Sequence, residues 1–118
     1  MAILVAEDDE LILKTIEHKL VKEGYEVILT RNGKDAIDKI LETEVDLIIT
    51  DIMMPFASGI EILSAIKIAG KNIPVIMLSS MGQEDVILNA FDLGAADFIV
   101  KPFSPNELML RVKRITSR

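Results

Sequence analysis

Residues 46–51 read Asp-Leu-Ile-Ile-Thr-Asp. Leu47, Ile48 and Ile49 form an unbroken apolar run with no polar alternation, the pattern of a strand covered on both faces. The run then ends in Asp51. Four comparable runs flank it: 2–6 (Ala-Ile-Leu-Val-Ala), 25–29 (Tyr-Glu-Val-Ile-Leu), 73–78 (Ile-Pro-Val-Ile-Met-Leu) and 97–100 (Asp-Phe-Ile-Val). The first and fourth of the five in chain order are almost wholly apolar, like 46–50. The second alternates, as an edge strand does.

Between the runs the apolar spacing becomes helical. Ile12, Ile16 and Leu20 recur every four residues and Gly24 supplies a stop. Asn32 with Asp35 opens a second helix over 32–42. Ser58-Gly59-Ile60-Glu61 reads as a capping box, in which serine and glutamate satisfy each other's free backbone N–H groups. Gly70 ends that helix. A fourth is expected from about Gln83 to Leu93, before Gly94. Ser104-Pro105-Asn106-Glu107 opens a fifth, with proline at its first position. Five alternating strand–helix units predict one α/β domain over 1–118, a (βα)5 doubly wound parallel five-stranded sheet with helices on both faces. Strand order 2-1-3-4-5 is one common outcome, and ligands of such folds sit at the carboxyl ends of the strands, by the switch point.

The bulk numbers narrow the class. Among 118 residues, half are apolar and 4% aromatic, so the core must be aliphatic. A net charge of −6 argues against a nucleic-acid surface, which needs clustered Lys and Arg. The absence of cysteine excludes disulfides, thiolate metal sites and a cysteine nucleophile, and fits a cytoplasmic setting. The start, Met1 to Ala6, lacks the basic flank of a signal peptide. No apolar run approaches the roughly 20 residues that span a bilayer.

The polar residues gather where the strands end. The first strand runs into Glu7-Asp8-Asp9, the third into Asp51, the fourth into Ser79-Ser80 and the fifth into Lys101-Pro102. Clustered carboxylates repel, so one must be protonated or a cation must lie between them. A hard divalent ion answers this, Mg2+ being usual where phosphates are handled. A carboxylate can also be the nucleophile, giving an acyl phosphate. Lys101 and the Ser79 hydroxyl suit the oxygens of a transferred phosphoryl group. Asp9 reads as a helix cap, and His18, mid-helix between Glu17 and Lys19, as a solvated surface residue.

Ile3-Leu4-Val5-Ala6-Glu7-Asp8, Asp51-Ile52-Met53-Met54-Pro55 through Gly59, Pro74 to Ser80, and Gly94 to Lys101-Pro102-Phe103 resemble, in order, the motifs of response regulator receiver domains. The resemblance covers essentially the whole chain. It implies a flavodoxin-like fold and a phosphoacceptor module of a two-component phosphorelay, not an ordinary enzyme. Asp51 would take a phosphoryl group from a histidine kinase or histidine phosphotransferase. Asp8, Glu7, Asp51 and the backbone carbonyl of Met53 would hold Mg2+ or Mn2+. Ser79 would bond the phosphoryl group after activation, Lys101 would pair with Asp51, and Phe98 would be the switching aromatic. The surface of the fourth helix, fifth strand and fifth helix would then change. By the same resemblance the Lys101-Pro102 bond is expected to be cis. Met53 and Met81 occupy the positions that tune phosphate loss, and both are apolar, which predicts slow hydrolysis. Asp97, Glu107 and Arg111 resemble part of a charged network that pairs receivers of winged-helix regulators. A homodimer through the fourth helix, fifth strand and fifth helix is open to the chain, but Ile87 and Ala96 stand where that network has a basic residue and an acid, which puts the charge-mediated form in doubt. Direct contact with nucleic acid or membrane is not expected.

Three rivals share parts of this pattern. A flavin binder of the same layout needs a Ser/Thr/Gly-rich phosphate loop where Glu7-Asp8-Asp9 stands. A haloacid-dehalogenase-type phosphatase needs a second acid at Met53. A pseudo-receiver, a pure interaction module, would lack residues that are all present here. The receiver reading is also compatible with a fragment of a DNA-binding regulator or hybrid kinase.

Overall fold

Strands that are apolar on both faces need cover on both, and among the described residues five helices give it. The computed structural model describes residues 1–54, 56–80 and 84–117. In chain order the elements are β1 (Ala2–Ala6), α1 (Glu10–Lys22), β2 (Glu26–Thr30), α2 (Gly33–Glu42), β3 (Leu47–Asp51), α3 (Gly59–Ile68), β4 (Val75–Ser79), α4 (Glu84–Asp92), β5 (Asp97–Val100) and α5 (Pro105–Thr116). The strands form one sheet in the order β2-β1-β3-β4-β5, and every pairing is parallel. The doubly wound architecture and its switch point between β1 and β3 are as the sequence predicts.

Side chains alternate across the strands, so each strand feeds two cores. Ile3, Val5, Leu47, Ile49, Ile76, Leu78 and Ile99 face Leu13, Ile16 and Leu20 of α1 and Leu108, Met109 and Val112 of α5. Leu4, Ala6, Ile48, Val75 and Met77 face Ala36 and Ile40 of α2, Ile62, Leu63 and Ile66 of α3, and Ala90 of α4. Each fully buried Leu or Ile contributes about 1.5–3 kcal/mol through removal of apolar area from water. β2 is half-exposed along most of its length, as its edge position requires.

The caps follow the sequence reading. Asp9 accepts N–H bonds from Leu11 and Ile12 at 3.0 and 3.2 Å. Asn32 accepts from Asp35 at 2.8 Å, Ser58 and Glu61 form a reciprocal box, and Ser104 accepts from Glu107 at 3.1 Å. Gly24, at φ +94°, turns the chain out of α1 through backbone space that L side chains avoid.

Three strands start later than their apolar runs suggest. Tyr25 is drawn back to α1 by its N–H bond to Leu20 O. Asp46 spends its carboxylate on the N–H of Ala2 at 2.8 Å, and Pro74 has no N–H to give. At their other ends β3 and β4 run one residue further than those runs, so Asp51 and Ser79 are their last residues, not the first ones beyond them. α4 is described from Glu84 onward, so its expected start at Gln83 lies outside the described residues. Among the described residues no helix is long and apolar enough to cross a membrane.

Candidate functional site

Parallel register puts the acidic ends of β1 and β3 side by side. Ala6 is level with Thr50, so Glu7 and Asp51 leave the sheet together. The Glu7 N–H donates to Thr30 O at 3.1 Å, which keeps β1 straight through that residue. Glu7 is fully buried and Asp51 is 8% exposed; Asp8 beside them is exposed. One oxygen from each of Glu7, Asp8 and Asp51 lies within 4.8 Å of the other two.

Lys101 enters from the far side. Its N–H donates to Ser79 O at 2.6 Å, which extends the β4–β5 pairing by one step. The side chain reaches across, placing Nζ 2.7 Å from Glu7 Oε1 and 2.5 Å from Asp51 Oδ2. The Lys101-Pro102 bond is cis. Asp51 Oδ1 accepts the Met53 N–H at 3.3 Å, and Glu7 Oε2 accepts the Asp9 N–H at 3.0 Å. Glu7 Oε1 has the ammonium as its ion-pair partner but no well-directed hydrogen bond, although it is sealed from water.

These contacts set the electrostatics. Burial pushes the Glu7 carboxyl above its ordinary value, and the Asp51 charge adds to this; Lys101 and the Asp9 N–H only partly offset it. Burial works against the Lys101 charge as well, but hydrogen bonds to Asp51 and Glu7 outweigh it and raise the ammonium above its usual range. Three carboxyl groups thus crowd around one ammonium. The donors are all oxygen, and one buried oxygen lacks a directed partner. That set fits a hard divalent cation.

Glu7, Asp8, Asp51 and Lys101 are therefore gathered at one point. Ser79 lies close by in register, since it pairs with Val100, next to Lys101. It is buried, and its hydroxyl donates a long bond of 3.5 Å to Ile99 O. Phe98 lies one turn of the pleat down β5, level with Met77, and is half-buried. Its ring meets that of Phe91 edge-on, at a centroid distance of 5.5 Å and 80°. Met53 is 61% exposed. Met81 lies outside the described residues. Asp97 receives Arg114 at 2.5 Å and Arg111 at 3.6 Å, and Arg111 also pairs with Glu107 at 3.4 Å. These charges are satisfied within the chain. His18 is exposed, as expected.

Gly33, which the sequence reading does not single out, and Gly59, read there as part of a capping box and of a receiver motif, both shape the loop that leaves β3. A Cβ on Gly33 would fall 1.9 Å from Ala57 O, and one on Gly59 would fall 2.7 Å from Asp51 O. No local pattern announces a contact between residues so far apart in sequence. Phe91 and Phe56 were also missed.

Known proteins resemble this chain in sequence and fold. The response regulator receiver domain family matches residues 3–113. The chain is 42% identical over 116 residues to the transcriptional regulatory protein ResD of Bacillus subtilis, covering 98% of this chain and 48% of that protein. It is 44% identical over 115 residues to the response regulator RR06 of Streptococcus pneumoniae, covering 98% and 51%. The chain thus spans about half the length of the curated relatives it matches. The receiver domain of the Francisella response regulator 1452 superposes with a TM-score of 0.91 at 33% identity, covering 99% of this chain and 97% of that one. The chemotaxis response regulator CheY4 of Vibrio cholerae does so at 0.90 and 29% identity, covering 97% of both chains. With a match across nearly its whole length, the chain belongs to the response regulator receiver domain family.

Proposed function

We propose that Asp51 accepts a phosphoryl group from a phosphohistidine of a histidine kinase or histidine phosphotransferase, and that this switches the surface of α4, β5 and α5. The observation that carries the reading is the single Lys101 ammonium bridging Glu7 and Asp51 at 2.7 and 2.5 Å, with Asp8 alongside. Glu7, Asp8, Asp51 and the Met53 carbonyl would hold Mg2+, or Mn2+ in its place. When bound, the cation neutralises the carboxylates and polarises the phosphoryl oxygens.

The chain's own residues supply the rest. An Asp51 oxygen attacks phosphorus as the P–N bond to the donor imidazole breaks, and the leaving nitrogen takes a proton from solvent. Lys101 opposes the charge on the equatorial oxygens. Ser79 exchanges its long bond to Ile99 O for one to the phosphoryl group. The inward pull frees room beside β5, and Phe98 shifts against Phe91. Phosphorylation then biases an equilibrium between two arrangements that already exist. Asp51 is a phosphoacceptor with self-phosphorylating and self-dephosphorylating chemistry, not a residue of an ordinary enzyme. The setting is cytoplasmic, with no direct contact to nucleic acid. We read 1–118 as one domain. The names of the curated relatives support a place in transcriptional control.

The test is incubation with acetyl phosphate followed by intact-mass analysis. One phosphoryl addition is expected with Mg2+ and none in EDTA. Labelling that ignores the metal would overturn the proposed metal role, and no labelling at all would favour a pseudo-receiver.

A further inference from the structure

Phe56 presents an aromatic ring to water from a backbone conformation that disfavours it. Its φ is +69°, the one left-handed non-glycine among the described residues, and it is 83% exposed. A bulky L-residue there brings Cβ against the following carbonyl. Phenylalanine has none of the side-chain hydrogen bonding by which asparagine or aspartate offsets the cost. The surrounding chain holds the conformation from both sides. Upstream, the Ile52 N–H donates to Leu78 O at 3.0 Å, and the Met53 N–H donates to Asp51 Oδ1 at 3.3 Å. Downstream, Ala57 is buried against the bare Cα of Gly33, and the Gly59 N–H closes the loop on Ile52 O at 2.8 Å. A disfavoured residue fixed in this way points to a role in binding. Rigid exposed aromatics are the residues that most often dominate protein interfaces.

The place of the loop says which partner. It runs directly out of Asp51, whose carboxylate is recessed, so a donor must settle on the rim to reach it. Phe56 follows Asp51 by five residues, at most about 18 Å of chain. An interface of ordinary size covers roughly 800 Å2 on each partner, a disc of roughly 16 Å radius. A protein that delivers a phosphoryl group to Asp51 therefore covers or abuts the ring, whereas a small phosphodonor does not.

We propose that Phe56 is a docking contact for the protein phosphodonor, its ring pre-set by the left-handed backbone. This rests on Asp51 being the phosphoacceptor. Glycine adopts the same φ without strain, so Phe56→Gly keeps the fold and melts at or above the wild-type temperature. Transfer is measured from the autophosphorylated catalytic core of a histidine kinase that labels the wild-type chain, and separately from acetyl phosphate. Transfer from the kinase is expected to fall about tenfold or more in Phe56→Gly, as for loss of an aromatic anchor, and to be retained in Phe56→Tyr. Labelling by acetyl phosphate should stay unchanged. Unchanged transfer from the kinase, or an equal loss with both donors, would overturn the docking role. So would a concentration-dependent dimer that Phe56→Gly abolishes while transfer persists, because the ring would then serve a second copy. If wild type takes no label from acetyl phosphate, the phosphoacceptor reading itself fails; if acetyl phosphate labels it and no kinase does, the protein donor and this contact fall together.

Discussion

Replacing Lys101 with alanine would leave Glu7 and Asp51 facing each other with no counter-charge. Glu7 is fully buried and Asp51 nearly so, with Nζ 2.7 and 2.5 Å away. Deleting one partner of a buried ion pair costs about 3–5 kcal/mol, because a charge is left without compensation. The Lys101 side chain is 18% exposed, so solvent screens part of the interaction, and about 2–4 kcal/mol is the expected loss. For a domain of this size that corresponds to a fall in melting temperature of roughly 8–16 °C. Urea unfolding in EDTA at pH 7 measures it. The loss should shrink in acid. Glu7 has a raised carboxyl pKa in the folded state, so the fold binds that proton more tightly than the unfolded chain does. Stability from this group is gained as pH falls through the raised value towards the ordinary 4.5, and protonation removes the repulsion that the missing ammonium had screened. The Lys101 contribution has the opposite sense: it is complete below the ordinary 10.5 and is lost as pH rises through the raised value. Saturating Mg2+ should also narrow the gap, because a divalent cation replaces the ammonium. A variant within about 0.5 kcal/mol of wild type in EDTA, the usual scatter for an inconsequential surface change, would refute this reasoning.

Glu7→Gln removes a carboxylate whose charged form is disfavoured by burial; the metal-free domain should be at least as stable, while Mg2+ affinity by calorimetry drops about tenfold. Wild-type Mg2+ affinity should likewise weaken as pH falls through the raised Glu7 value, and an unaltered affinity in the variant would remove Glu7 from the metal site. Gly33→Ala drives a methyl group into Ala57 O, so the loop must shift, at about 1–3 kcal/mol by urea unfolding. Mg2+ affinity should fall with it because Met53 lies in the same loop, and a neutral variant would show that the contact is soft. Met53 and Met81 offer no polar group to orient water, so the phosphorylated domain in Mg2+ should lose its label slowly. A half-life on the order of seconds, far quicker than shielding of an acyl phosphate implies, would count against that.

The fold was legible because its signals are local. Unbroken apolar runs such as 47–49, capping residues such as Ser58 and stops such as Gly24 each act within a few positions, and they agreed with one another. Strand ends shifted where a tertiary bond intervened, as at Tyr25 and Asp46. The candidate site was legible as a set of residue types at strand ends, because parallel strands deliver those ends to one edge. Its details were not. The bridging position of Lys101 depends on the β4–β5 register, and the Gly33–Ala57 contact joins the start of α2 to the loop after β3, which no periodicity connects. The left-handed backbone of Phe56 has no sequence signal, since phenylalanine is among the residues least expected there. The charge network at Asp97 was seen in outline, but its Arg114 partner emerged only from the packing of α5 against β5.

The most direct test asks where the phosphoryl group goes. Wild-type and Asp51→Asn domains are incubated with acetyl phosphate and Mg2+, reduced with borohydride to trap any acyl phosphate, digested and mapped by mass spectrometry. The account predicts one modified residue, Asp51, and no label on Asp51→Asn at matched folding by circular dichroism. Labelling of Asp51→Asn to the wild-type level, or a label mapped to another residue, would contradict it.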